Sequence, residues 1–257
     1  MTQRRAWAGR LVAEFGVIVI GVLVALLAES WWDERGERAR ERATLQRLSE
    51  ELAGDSTQLA VWGDWLAIME PSIAVARDVL DGGRPLSNSA SLAMTYAAAT
   101  EVTTRRPIGT WDDLLASGRL ADVSDADLRR AIVGFHGEFD ALVEKGGALP
   151  DDYRIAVTAL VPSPVTQGIL DGCILPEPAE SPQRQGPRAN VIEALRACSV
   201  VDDTIAASLL VALRRRPALG EALEARSYEI DNLRDRYETV FEGLERLRAE
   251  LDRVLGR

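Results

Sequence analysis

An all-α fold is predicted: a single N-terminal transmembrane helix continues into a long helix that pairs antiparallel with a long C-terminal helix, and short helices pack at the distal end. Three observations predict it. Residues 11–32 form an apolar run that ends in two tryptophans. Residues 45–69 and 219–254 carry apolar stripes in alternating steps of three and four. No segment alternates apolar and polar residues as a half-buried strand does.

The uncharged run Phe15–Ala28 (FGVIVIGVLVALLA) has 14 residues. That is ~21 Å of helix against a hydrocarbon core of ~30 Å. Extending it from Leu11 to Trp32 gives 22 residues, or ~33 Å, enough to cross. Glu14 and Glu29 then sit near the two ends, where a carboxylate reaches water. Trp31 and Trp32 are the aromatic residues expected at a membrane interface. A cleaved signal peptide also has a basic start and a short apolar run, but no A-x-A site precedes the charged segment. A buried core helix is the remaining alternative, since short apolar runs often are that.

The domain plan that follows is a cytoplasmic tail at 1–10, a transmembrane helix at 11–32 and an extracytoplasmic helical domain at 33–257. Arg35, Arg38, Arg40, Arg42 and Arg47 follow the span and outnumber the arginines before it, which argues against this orientation. Long domains translocate largely regardless of flanking charge, however, so the N-terminus is expected inside the cytoplasmic membrane and the domain outside.

Within the span, Glu14, Gly21, Ala25 and Ala28 fall on one stripe, with Gly21-xxx-Ala25 a small-xxx-small pair. Small residues let helices approach closely in lipid, and a polar group there tends to face protein. The stripe is a candidate packing face toward a second copy or a membrane partner protein. The alternative is that glycine and alanine are simply common in spans and Glu14 snorkels.

Glu14, then Ile20-Gly21-Val22-Leu23-Val24-Ala25-Leu26, then Trp31 or Trp32 and an Arg/Glu-rich helix, together resemble an uncharacterised family of bacterial single-pass membrane proteins. A second match lies at Thr110 to Leu114, Ser117-Gly118, Leu120 and Leu128. The two cover about a quarter of the chain. The chain departs at Ala28-Glu29-Ser30, where the family carries amide side chains before its Trp. The resemblance implies an inner-membrane anchor with a helical domain of unknown function, and brings no catalytic residues with it.

Composition narrows the function classes. Of 30 basic and 40 acidic residues, three arginines and two glutamates precede Asp33, which leaves 27 basic and 38 acidic, a net charge of −11. A body that acidic is a poor match for nucleic acid or a broad anionic lipid surface. Cys173 and Cys198 bracket a segment holding Pro176, Pro178, Pro182 and Pro187. A disulfide across its base fits an oxidising compartment; two small buried thiols that never meet is the other reading.

Along the chain, the first stripe is Leu45, Leu48, Leu52, Asp55, Leu59, Trp62, Leu66, Met69, with Asp55 the misfit. Pro71 is expected to stop or kink that helix, and Ser72–Leu80 to end at Asp81-Gly82-Gly83. Helices are expected near 89–100, 111–117, 125–145, 151–161, 190–197 and 201–216. Thr110 and Ser124, each with an acid three residues on, read as weak capping boxes. The last stripe is Leu219, Leu223, Arg226, Ile230, Leu233, Tyr237, Val240, Leu244, Leu247, Leu251, Val254, with Arg226 the misfit. Sustained spacing of this kind calls for a partner helix.

No catalytic, cofactor or metal residues are assigned. His136 is the only histidine, so zinc sites needing two are excluded. The acid pairs Asp112-Asp113, Asp151-Asp152 and Asp202-Asp203 each fall in a first helical turn, where negative charge suits the dipole. Arg214-Arg215-Arg216 ends a helix, where cations suit the carbonyl end; a phosphate or lipid headgroup contact is its other reading. Neither Gly82-Gly83 nor Gly146-Gly147 is followed by the Lys-Ser/Thr of a phosphate loop. The expectation is a membrane-anchored, non-enzymatic interaction or scaffold protein, working through the bilayer and through helix packing. The alternative is a ligand-sensing helical bundle acting through a membrane partner.

Overall fold

The computed structural model describes residues 2–84, 86–101, 109–147, 152–175, 187 and 190–256, with side chains from residue 20 onward. Every regular element among them is helical. In chain order these are α1 (Thr2–Leu80), α2 (Asn88–Ala97), α3 (Thr110–Ser117), a 3-10 turn (Arg119–Asp122), α4 (Ala126–Gly147), α5 (Asp152–Leu160), α6 (Ser163–Ile169), a π turn (Leu170–Ile174), α7 (Val191–Arg196), α8 (Asp203–Arg214) and α9 (Leu219–Leu255).

The stripe on α1 does what its spacing requires. Leu45, Leu48, Leu52, Leu59, Trp62, Leu66 and Met69 are all buried. So are Leu219, Leu223, Ile230, Leu233, Val240, Leu244, Leu247 and Leu251 of α9. The two long helices touch along their length: the Arg42 guanidinium donates to the Leu255 carbonyl at 3.2 Å, Arg234 to Glu70 at 2.7 Å and Arg77 to Glu224 at 2.6 Å. The Tyr237 hydroxyl packs so near Gly63 that a Cβ there would meet it at 2.5 Å, which is why the close approach needs glycine.

A third helix completes the bundle. Leu128, Ile132, Phe135, Phe139 and Leu142 of α4 are buried, and α4 packs against α9 as closely as α1 does, with Gly243 lying against Phe135. The expected pair is therefore the core of a three-helix arrangement, because α4 has an apolar face of its own to cover. At its end, Gly146 lies so close to the Trp62 ring that a Cβ there would run into it.

Pro71 neither stops α1 nor separates a second segment, since the helix runs on to Leu80. Proline costs a helix interior about 3 kcal/mol. The following turns bury Ile73, Ala76 and Val79 against the core, and large buried aliphatics contribute about 1.5–3 kcal/mol each. Packing outweighs the break.

The short helices divide between the two ends of the bundle. Helices α2, α7 and α8 gather around the Leu80 end of α1, with α5 against α8 and α9. Helix α3 does not join them: it is held against α1 at Glu51, so only part of the short-helix set lies at the distal end.

Candidate functional site

No other helix covers the first thirteen described side chains of α1. Residues 20–32 are all exposed, with Ile20 at 63%, Leu27 at 70% and Trp32 at 69%. Among the described residues, α1 is the one helix long and apolar enough to cross a membrane. Folded chains rarely leave so large a contiguous apolar patch exposed.

The collar ends in an amphipathic band. The Trp31 and Trp32 rings meet edge to face with centroids 5.9 Å apart. The Arg35 guanidinium lies 5.3 Å from the Trp31 ring centre, a cation–π contact. Gly21, Ala25 and Ala28 lie on the collar, exposed, and Gly21 has open space where a Cβ would go. The Glu14 side chain lies outside the described residues. By the 100° turn per residue, this small-residue face points about 150° away from the stripe that carries Leu45, Leu52 and Leu59. The face is thus not blocked by the bundle.

Just past the tryptophans a cleft of about 850 Å³ opens between α1 and the α3–α4 connection. Glu34, Glu37, Arg38, Arg40, Glu41 and Thr44 form one wall, and Leu114, Arg119, Asp122, Val123 and Ser124 the other. Sequence reading missed it, because its walls are some eighty residues apart along the chain and only the folded chain brings them together.

Two carboxylates of α1 hold that second wall in place. Glu51 accepts from the Thr110 backbone N–H at 2.9 and 2.8 Å and from its hydroxyl at 2.5 Å. Glu41 accepts from the Ser124 N–H at 2.7 Å and its hydroxyl at 2.9 Å. These contacts shift both expected capping boxes. Gly109 N–H donates to Asp112, not Asp113, at 2.9 Å. At α4, Asp125 and not Ser124 accepts from the Asp127 and Leu128 N–H groups, at 2.9 Å each. A carboxylate from another helix is the stronger acceptor at a helix start, so the local hydroxyls turn to it.

Arginines close helix ends in the same long-range way. Arg226, 1% exposed, donates to the carbonyls of Ala98 and Thr100 just past α2. Arg214 donates to the Val79 and Gly83 carbonyls at 2.6 and 2.8 Å. The first arginine of the 214–216 run is thereby a clasp on the end of α1.

The other singled-out residues have structural surroundings. His136 is buried and stacked on Trp111, with ring centres 4.7 Å apart and planes 6° from parallel. Asp202 accepts from Thr204 and Ile205 at the start of α8. Asp151 and the prolines at 176, 178 and 182 lie outside the described residues. Cys173 and Cys198 are joined in a disulfide with Cα atoms 6.0 Å apart. Tyr153 is buried and its hydroxyl donates to the Thr95 carbonyl at 3.1 Å; burial pushes its phenol well above the usual range. Among the described residues, no group of three or more His, Cys, Asp or Glu side chains could hold a metal ion.

Comparison with the models of known protein families, with curated proteins and with solved structures finds no match to this chain.

Proposed function

We propose that the chain is a membrane-anchored, non-enzymatic interaction or scaffold protein of the bacterial cell envelope. The observation that carries this reading is the uncovered apolar collar, Ile20–Trp32, on a helix that continues without a break into the bundle. A buried core helix is covered by its own protein; this one is not. The collar crosses the cytoplasmic membrane, with the tail of 1–10 inside and the body of 33–257 outside. The Cys173–Cys198 disulfide supports the outside placement, since such bonds persist in oxidising compartments.

In this reading α1 and α9 run antiparallel, supported by the contacts of residues 42, 70 and 77 with 255, 234 and 224. The C-terminus thus returns toward the bilayer. Gly21, Ala25 and Ala28, with Glu14 at the same register, form the packing face toward a second copy or a membrane partner. The resemblance of Glu14, the 20–26 segment and the tryptophans to single-pass envelope proteins agrees with this placement.

Fractionation of cells expressing the full chain tests the anchor. The intact, unprocessed polypeptide is expected in the membrane pellet after an alkaline wash, and its recovery in the soluble pool overturns the reading. Extraction in mild detergent then tests the scaffold role. A homo-oligomer or a copurifying membrane protein is expected, whereas a lone monomer counts against it. Protease added to spheroplasts is expected to reach the body from outside, and protection would reverse the orientation.

A further inference from the structure

We propose that the cleft at the foot of α1 binds the headgroup of a phosphoethanolamine phospholipid from the bilayer that the collar occupies, an inference that rests on the membrane reading above. Position comes first. Glu34, Glu37 and Arg40 follow Trp32 by ~3, ~7.5 and ~12 Å of helix rise. The headgroup layer extends ~6 Å beyond the hydrocarbon core, so Glu37 sits at its outer edge and Arg40 meets it through the end of its side chain. The lower lip of the cleft therefore lies at headgroup depth. The Arg40 guanidinium folds back toward the membrane, within 3.8 Å of where a Cβ on Gly36 would stand.

Charge decides the ligand class. Within the lining, Arg38 pairs with Glu34 at 2.9 Å and Arg119 with Asp122 at 3.6 Å, while Glu41 is committed to Ser124. Among the described residues, the Arg40 and Glu37 side chains make no hydrogen bond or ion pair. One cation and one anion are left over, three positions apart on the same helix. Neighbours at that spacing share one face of the helix, with Cβ atoms about 5–6 Å apart, so their longer side chains can reach the two charges of one two-carbon zwitterion. A guanidinium suits the phosphate, and a carboxylate accepts from a primary ammonium.

The same lining disfavours the common alternatives. Choline has no N–H to donate and is recognised by aromatic rings, and the lining contains none. A headgroup of net negative charge would meet four carboxylates against three guanidiniums.

The test uses the full chain in nanodiscs of matched acyl chains, with phosphatidylethanolamine, phosphatidylcholine or phosphatidylglycerol as probe. Lipid retention is read by native mass spectrometry after gentle release. Phosphatidylethanolamine is expected to be retained about tenfold over the other two, the size of one charge-assisted contact. The Arg40→Gln/Glu37→Gln double variant is expected to lose that preference, and an Arg215→Gln/Arg216→Gln control to keep it. Both altered side chains are exposed and unbonded, so circular dichroism should show an unchanged fold. Equal retention of the three lipids overturns the cleft proposal and leaves the anchor standing. Failure to enter any nanodisc overturns the anchor itself. Tight binding of soluble phosphoethanolamine without a membrane overturns the lipid assignment.

Discussion

The Nε–H of Arg226, in the middle of the apolar face of α9, donates to the Ala98 carbonyl at 2.7 Å across 128 residues of chain. The arginine is 1% exposed. It ties the chain just past α2 to the bundle and satisfies two buried carbonyls there.

Arg226→Met should therefore destabilise the fold although it repairs the apolar stripe. The carbonyls of Ala98 and Thr100 lose their donor in a buried place, and a buried acceptor left unsatisfied costs about 1–3 kcal/mol. Chemical denaturation in detergent should show the loss, with hydrogen exchange rising first in α2. A variant as stable as the parent would mean that water replaces the guanidinium at no loss.

That residue also shows what a sequence can and cannot disclose. The stripes around Leu45, Leu59, Leu233 and Leu247 were legible because a helical period is local information. So was the apolar run ending at Trp31 and Trp32. The misfits Asp55 and Arg226 are visible as misfits, but the carbonyls past α2 that explain Arg226 are more than a hundred residues away. The caps failed for the same reason: Thr110 and Ser124 read as local caps until Glu51 and Glu41 arrived from α1. The ring of Pro71 is local information that argues for a break, whereas the packing of Ile73, Ala76 and Val79, which keeps the helix going, is not. The cleft beside Arg40 had no sequence signal, because opposite walls belong to segments that only the fold brings together.

Acid should weaken the body through two surface pairs. The Arg77 hydrogen bond holds the Glu224 carboxyl below its ordinary range. The Leu128 N–H and then Arg253 do the same for Asp125. Carboxyls whose folded pKa is depressed contribute stability above their unfolded pKa and lose it as pH falls through the folded value. Melting temperature should thus begin to drop as pH falls toward the unfolded carboxyl values, near 4.5 for Glu224 and 3.8 for Asp125, and go on dropping below them. In Glu224→Gln/Asp125→Asn the fall should be shallower and the stability at neutral pH lower, since each amide loses the charge and one of the two oxygens that accept in the parent. Parallel curves for the two proteins would assign the acid loss to other groups.

Replacing Cys173 and Cys198 together by serine should lower stability by about 3 kcal/mol, because the bond spans 25 residues and restricts the unfolded chain. Both sulfur-bearing residues are 2% exposed. Mild reductant should therefore leave the folded protein oxidised, and thiol labelling should appear only as denaturant opens the core. Rapid labelling in native buffer would show that the π turn around Cys173 opens on its own.

Two glycines of α4 should respond to the same substitution with opposite sign. Exchanging glycine for alanine inside a helix is worth about 1 kcal/mol in favour of alanine. At Gly134, which is exposed, an added Cβ meets nothing within 4 Å, so Gly134→Ala should stabilise by about that amount. At Gly146 the Cβ would run into the ring of Trp62, which is 0% exposed and has no room to withdraw. Overpacking a closed core costs about 1–3 kcal/mol, and the propensity gain shrinks in the last turn before Gly147. Gly146→Ala should be destabilising, with a change in tryptophan emission as the ring is displaced. Denaturation of the two single variants decides the matter: if both stabilise, α4 does not press its C-terminal turn against Trp62.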